Sequence, residues 1–338
     1  MIRKAFRSSA FIAFFALAMI SGNAQEVRGK IDLNDERFKK LQERSRERSK
    51  GIMPQPSAYD EKNRNVLLNP EMPNCRDVSQ YQIVDKSNIR ILYAFNATDL
   101  TNPATYDDLQ RLEIGKTHVK YYSEYAYQGD SCATSDMIET NEIFHSNYKL
   151  EGGNVCVAME MRGKHQGWSQ YLFSEYFKDL TTNEMTEYCR MPAYLENYNS
   201  YYIESIPTQE WEIENETLEI AGYKCQKARC YFRGRNYTAW FTIDIPMDHG
   251  PWKFGGLPGL ILKVYDDDQK FIFECVGIEQ PPEPYSIILL NNYCSYRKTT
   301  RTKLNKLLKR ICEDYYELSG LTNTASKLLY PFNPMELE

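Results

Sequence analysis

Between Gln110 and Ile278 the chain shows five hairpin patterns, each a short apolar-rich run, a few turn-forming residues, and a second run, with no sequence shared among them. Gln110–Ile114 and Thr117–Tyr122 flank Gly115-Lys116, and Gln170–Phe177 and Met185–Arg190 flank residues 179–183. Trp211–Ile213 and Leu218–Ile220 flank Glu214-Asn215-Glu216. Tyr223–Phe232 and Tyr237–Ile245 flank residues 233–236, and Leu260–Tyr265 and Lys270–Ile278 flank residues 266–269. Upstream, Ile89, Ile91, Tyr93 and Phe95 alternate with Arg90, Leu92 and Ala94, the period of a strand. Turns this short join antiparallel neighbours, whereas parallel neighbours need long crossovers, usually helical, and none separate these runs. The chain is therefore expected to fold as a predominantly antiparallel meander sheet.

One helix stands against that pattern. Between Thr299 and Gly320, Leu304, Leu307, Leu308, Ile311, Tyr315 and Leu318 form a stripe at helical spacing, and Gly320 can close the C-terminus. Burying the stripe on a sheet gives an α+β layering, with the helix at 299–319. Residues 131–153 are polar, end in Gly152-Gly153, and read as an inserted loop or short helix. With no internal repeat and no second boundary, residues 75–338 are expected to form a single domain.

The first 24 residues place the protein. Arg3, Lys4 and Arg7 precede an apolar run from Ala10 to Ile20, and Ser21-Gly22-Asn23-Ala24 supplies small residues for a cut after Ala24. That order is a secretory signal peptide, and its apolar run is shorter than the roughly 20 residues of a spanning helix. The expected mature protein starts at Gln25, lies in the periplasm or against the outer membrane, and has no transmembrane segment after cleavage. Residues 25–74 read as a polar arm or linker, basic between Arg28 and Lys50. Residues 1–24 and 25–50 each carry a net +3, which leaves −11 for residues 51–338 of the total −5. An acidic body argues against nucleic acid as a partner. The 9 Cys fit an oxidising compartment, and at least one disulfide is expected there. Cys225 and Cys230 are not expected to join each other, because an odd offset on one strand points them to opposite faces. There is no Cys-x-x-Cys, and His118, His145, His165 and His249 lack ligand spacing, so no metal and no cofactor are expected.

Residues 250–261, Gly-Pro-Trp-Lys-Phe-Gly-Gly-Leu-Pro-Gly-Leu-Ile, cannot be helix or central strand. They read as a shaped loop. Gly250, Pro251, Gly255, Gly256 and Gly259 set its path, and Trp252, Phe254, Leu257, Pro258 and Leu260 are presented by it. These apolar residues either plug the end of the core or contact an apolar small ligand or an envelope protein, and the charge of Lys253 favours partial exposure. The segment resembles the GLPGLI family, exported Bacteroidetes proteins of unknown function, through Gly256 to Ile261. The resemblance extends over residues 209–278, through Ile220 to Ala228, Phe232-Arg233-Gly234-Arg235 and Ala239 to Pro246, and more weakly over Leu112 to Lys116. The order of strands around 237–278 also resembles the half-barrel of LolA-type lipoprotein carriers, which implies a curved sheet or half-barrel. No Gly-x-Ser-x-Gly, His-Glu-x-x-His or Walker pattern occurs. No catalytic residue is assigned, and a non-catalytic binding or accessory protein is the expected function. The alternatives are a hydrolase built on Asp248-His249 and a structural subunit of an outer-membrane transport complex.

Overall fold

The computed structural model describes residues 36, 39–40, 43, 70, 72–144, 168–320 and 332–338. The signal peptide, most of the basic arm and residues 145–153 lie outside these. The chain divides into two compact units. The described part of the smaller unit is chiefly residues 74–79 and 129–144. There Asp130, fully buried, accepts from the Arg76 guanidinium at 2.9 Å, and Thr134 Oγ1 accepts the Val78 amide at 3.0 Å. Asp130 and Thr134 belong to α1 (Glu124–Phe144), so residues 131–144 of the polar stretch are helical.

The larger unit holds the sheet. Its strands are β1 (Tyr81–Ser87), β2 (Arg90–Phe95), β3 (Asp108–Ile114), β4 (His118–Ser123), β5 (Ser174–Asp179), β6 (Glu184–Cys189) and β7 (Ser200–Ser205). They continue as β8 (Glu212–Ile220), β9 (Tyr223–Phe232), β10 (Arg235–Thr242), β11 (Leu260–Asp266), β12 (Ile272–Glu279), β13 (Tyr285–Leu290) and β14 (Arg297–Lys298). Twelve form an open sheet in the order β14-β7-β6-β5-β4-β3-β2-β12-β11-β10-β9-β8, while β1 and β13 pair as a separate ribbon. The expected antiparallel meander is present, with a C-terminal helix, α3 (Arg301–Ser319). The helix is capped by the Thr300 hydroxyl and closed by Gly320 at φ 70°.

Three sequence expectations need correction. The turn expected at Glu214-Asn215-Glu216 is a break in register within one continuous β8, between Ile213 and Thr217. An edge strand pairs on one side only, so it can carry a bulge there without disturbing a second neighbour. Residues 170–173 are a helical turn, α2, rather than strand, capped by Ser169. One pair is parallel: β14 lies beside β7 over 2 residues.

Side chains of the inner face make one core. Ile91, Tyr93 and Phe95 join Leu112, Tyr121, Tyr176, Met185, Tyr237, Phe241 and Phe273 there. The sheet curls around this core. Strands β7 and β9 are nine places apart, about 43 Å in a flat sheet at about 4.8 Å per strand. Yet Arg233, in the turn after β9, binds Glu204 of β7 at 3.0 Å. The two ends of the larger unit's sheet are therefore brought together by side chains, without backbone pairing.

Candidate functional site

The loop between β10 and β11 fills the inside of the curl. Trp252, Phe254, Leu257 and Leu260 are all no more than 2% exposed, whereas Pro258 is exposed. Phe254 meets Tyr237 at 4.8 Å and Trp252 at 5.2 Å between ring centres, and Phe232 packs on both. Backbone groups of the loop are held by side chains from elsewhere in the unit. The Gly255 amide donates to Gln209, the Gly255 carbonyl accepts from the Trp211 indole at 2.8 Å, and the Phe254 carbonyl accepts from Lys178 at 3.2 Å. The loop glycines divide by cause. Gly256 has φ 81°, with open space where a side chain would stand. At Gly259 an added Cβ would lie 2.0 Å from the Thr242 carbonyl oxygen, and at Gly255 it would lie 2.8 Å from that of Asp248. At Gly250 it would lie 2.9 Å from Ile261.

Lys253 departs from the expectation of partial exposure: it is 1% exposed. The reason is a set of partners that sequence patterning does not reveal. Its ammonium reaches Glu336 at 2.8 Å, Glu187 at 3.4 Å and Glu204 at 3.7 Å, and donates to the Tyr202 hydroxyl at 2.7 Å. Tyr202 in turn donates to Glu187. Arg233 and Arg301 add cations beside Glu204 and Glu336. Three basic and three acidic side chains from six segments thus balance one another in a place with little water, the condition under which buried charge is tolerated.

Beside the loop, His249 and Lys178 form a second polar group. Burial, and then the nearby Lys178, push the His249 imidazole down to about 4, against the pull of Asp248 at 3.7 Å. Burial likewise pushes Lys178 down to about 8. His249 is therefore neutral near pH 7.

A cleft of about 180 Å³ lies elsewhere, on the outer face. The β1–β13 ribbon contributes Tyr81, Tyr285, Ser286 and Ile288 to its lining, the main sheet Arg90, Arg111, Glu113 and Tyr122, and α1 Tyr127. The Arg90 guanidinium stacks 3.5 Å from the centre of the Tyr285 ring and is fixed by Glu113 and Glu279. Arg111 is buried against Glu113, Glu124 and the Tyr122 hydroxyl, and its Nε is left without a hydrogen-bond partner. Sequence reasoning missed this cleft because Arg90, Arg111, Glu113 and Tyr122 come from runs that read only as strand, while Tyr81, Tyr127, Tyr285, Ser286 and Ile288 lie in stretches where no local pattern was read.

Among the described residues no group of acidic, His and Cys side chains is arranged to hold a metal, and no disulfide joins any two of the eight described cysteines. The expected disulfide is absent among them, and Cys225 is not bonded to Cys230. Burial pushes Cys189, Cys230, Cys275 and Cys312 up to about 12, so they pack as small apolar groups and stay protonated.

Residues 232–263 match a family described as "Protein of unknown function (Porph_ging)". The Porph_ging match runs from Phe232 through β10 and the whole Gly-Pro loop into β11. No curated protein matches the chain. PNGF-II in a P21 crystal form is similar at a TM-score of 0.41 and 12% identity, over 68% of this chain and 34% of that one. PNGF-II in a C2 form gives 0.41 and 12%, over 66% and 33%. The chain spans about a third of the length of those PNGF-II chains.

Proposed function

We propose that this chain is an exported, non-catalytic binding or accessory protein of the cell envelope, belonging with the GLPGLI proteins, and that the outer-face cleft is its ligand site. The observation that carries the reading is the buried Arg111 Nε without a partner in a concavity lined by four tyrosines. A buried donor left unmade costs about 1–3 kcal/mol, so an acceptor placed there is favoured. The tyrosines offer flat apolar faces for the remainder of a small ligand or for one side chain of a partner. The Gly-Pro loop has a supporting role in this reading: it holds the curl of the sheet on which the cleft stands.

The test is native mass spectrometry of protein purified from the cell envelope, together with its Tyr81→Ala/Tyr127→Ala variant. Wild type is expected to carry a small-molecule load that falls at least tenfold in the variant at unchanged melting temperature. A variant that carries as much, or a wild type that carries nothing, removes the cleft as a ligand site. N-terminal sequencing of the same sample is expected to start at Gln25.

A hydrolase is a second reading, favoured by one observation. Perturbed ionisations cluster at functional sites, and neutral His249 beside Lys178 is such a pair. It predicts hydrolytic turnover abolished by His249→Ala, and turnover unaffected by that change excludes it.

A further inference from the structure

The curl of the sheet leaves an opening beside the turn Arg233-Gly234, and an extended segment of the same chain occupies it. The Pro334 carbonyl accepts from Arg235 at 2.8 Å, and the Met335 carbonyl accepts from the Tyr237 hydroxyl at 3.1 Å. The Leu337 amide donates to the Arg233 carbonyl at 2.9 Å. The Met335 side chain enters the hydrophobic core. Glu336 points the other way, into the cluster of Lys253, Arg233 and Arg301. Leu337 lies over Gly234, where a Cβ would stand 2.7 Å from the leucine's own.

These are the marks of peptide recognition more than of a strand or helix packed into a fold. Main-chain groups are read by side chains and one carbonyl, alternate side chains go to opposite environments, and a single carboxylate meets a fixed cation. The segment has no regular secondary structure of its own. Without Glu336 the buried cluster holds three cations and two carboxylates, and Lys253 loses its nearest anion. The site is thus built to require an acidic side chain at this position.

We propose that this opening is a recognition groove for an extended acidic protein segment, that residues 332–338 are its resident occupant, and that a segment with the same Met-Glu-Leu-Glu order offered in trans takes their place. Lys253, at the centre of the Gly-Pro loop, is the residue that selects glutamate. The groove is separate from the outer-face cleft, so each stands or falls alone.

The experiment uses the full chain carrying Met335→Gly, Glu336→Gly and Leu337→Gly, with a fluorescent peptide of residues 332–338 as probe. The folded variant is expected to bind the peptide saturably, at least tenfold tighter than wild type does, because wild type has its groove filled. A peptide with glutamine in place of Glu336 is expected to bind at least tenfold more weakly. If the triple variant does not fold, the single Glu336→Gln chain is read by hydrogen exchange. The Leu337 amide should then exchange at least tenfold faster than in wild type, while the amides of β11 do not change. A folded variant that takes up neither peptide or both equally, a wild type that takes up as much, or an unchanged Leu337 amide overturns the proposal.

Discussion

Trp252 carries two opposed effects at one position. Its ring is buried against Phe232 and Phe254, yet its backbone has φ 53°, a conformation rarely adopted by residues other than glycine. Truncating a buried aromatic to alanine typically costs about 3–5 kcal/mol. Glycine removes the same ring but accepts the positive φ, which is worth about 1 kcal/mol or more. Trp252→Gly is therefore expected to be more stable than Trp252→Ala by about 1 kcal/mol, although it has the smaller side chain. Urea unfolding of both variants checks this, and an alanine variant at least as stable contradicts it. His249 makes a prediction of a different kind. Its folded value of about 4 lies below the ordinary 6.5, so between these the unfolded chain binds the extra proton. Stability then falls as pH drops from 6.5 to 4, by about 3 kcal/mol at about 1.4 kcal/mol per pH unit. Carboxylates titrate near the lower end too, so the measure is the difference from His249→Gln. The gap between the two stabilities should change by about that amount across pH 6.5 to 4, and parallel curves would refute it.

At the scale of elements, the turns explain how much could be read in advance. Arg233-Gly234 and Ala221-Gly222 both have positive φ at two successive residues, the two-residue hairpin turn that suits twisted strands. Glycine marks such turns in sequence, so the strands beside them were legible, as were the α3 stripe and the Gly-Pro loop. The β1–β13 ribbon was not, because its strands are some 200 residues apart and no local pattern records the pairing. The burial of Lys253 was not legible either: its partners Glu187, Glu204 and Glu336 come from β6, β7 and an irregular segment, and only the curl of the sheet unites them. The loop itself yields a prediction that separates space from backbone freedom. Gly256→Ala meets no atom and should cost only the positive-φ penalty, about 1 kcal/mol. Gly259→Ala drives a methyl into the Thr242 carbonyl, so β10 and the loop must move apart, and the loss should exceed that of Gly256→Ala by 2 kcal/mol or more, on the order of the cost of an overpacked core. Equal losses in thermal melts would show that the contact with Thr242 is easily relieved.

For the larger unit as a whole, the question is what holds an open sheet in a curl. A closed barrel uses backbone hydrogen bonds between its first and last strands, but here β7 and β9 meet through charges. Lys253 is the pivot, since it reaches carboxylates on β6, on β7 and at Glu336 from a loop that starts at β10. Replacing it with methionine keeps most of the volume and removes the charge. Three carboxylates, Glu187 and Glu336 buried and Glu204 partly so, are then left with less than their complement of cations, and breaking a buried pair in this way typically costs about 3–5 kcal/mol. Lys253→Met is therefore expected to lower the urea midpoint by that equivalent, with the slope of the transition unchanged if the fold survives. Adding Glu336→Gln removes the carboxylate nearest the lost ammonium, so the double variant should be more stable than the sum of the two single losses predicts, by about 1–3 kcal/mol. High salt should change these differences little, because the cluster is buried and poorly screened. Additive losses would mean that Lys253 and Glu336 do not act together. A Lys253→Met loss below about 1 kcal/mol would mean that apolar packing of the loop, led by Trp252 and Phe254, suffices to hold the sheet in its curl.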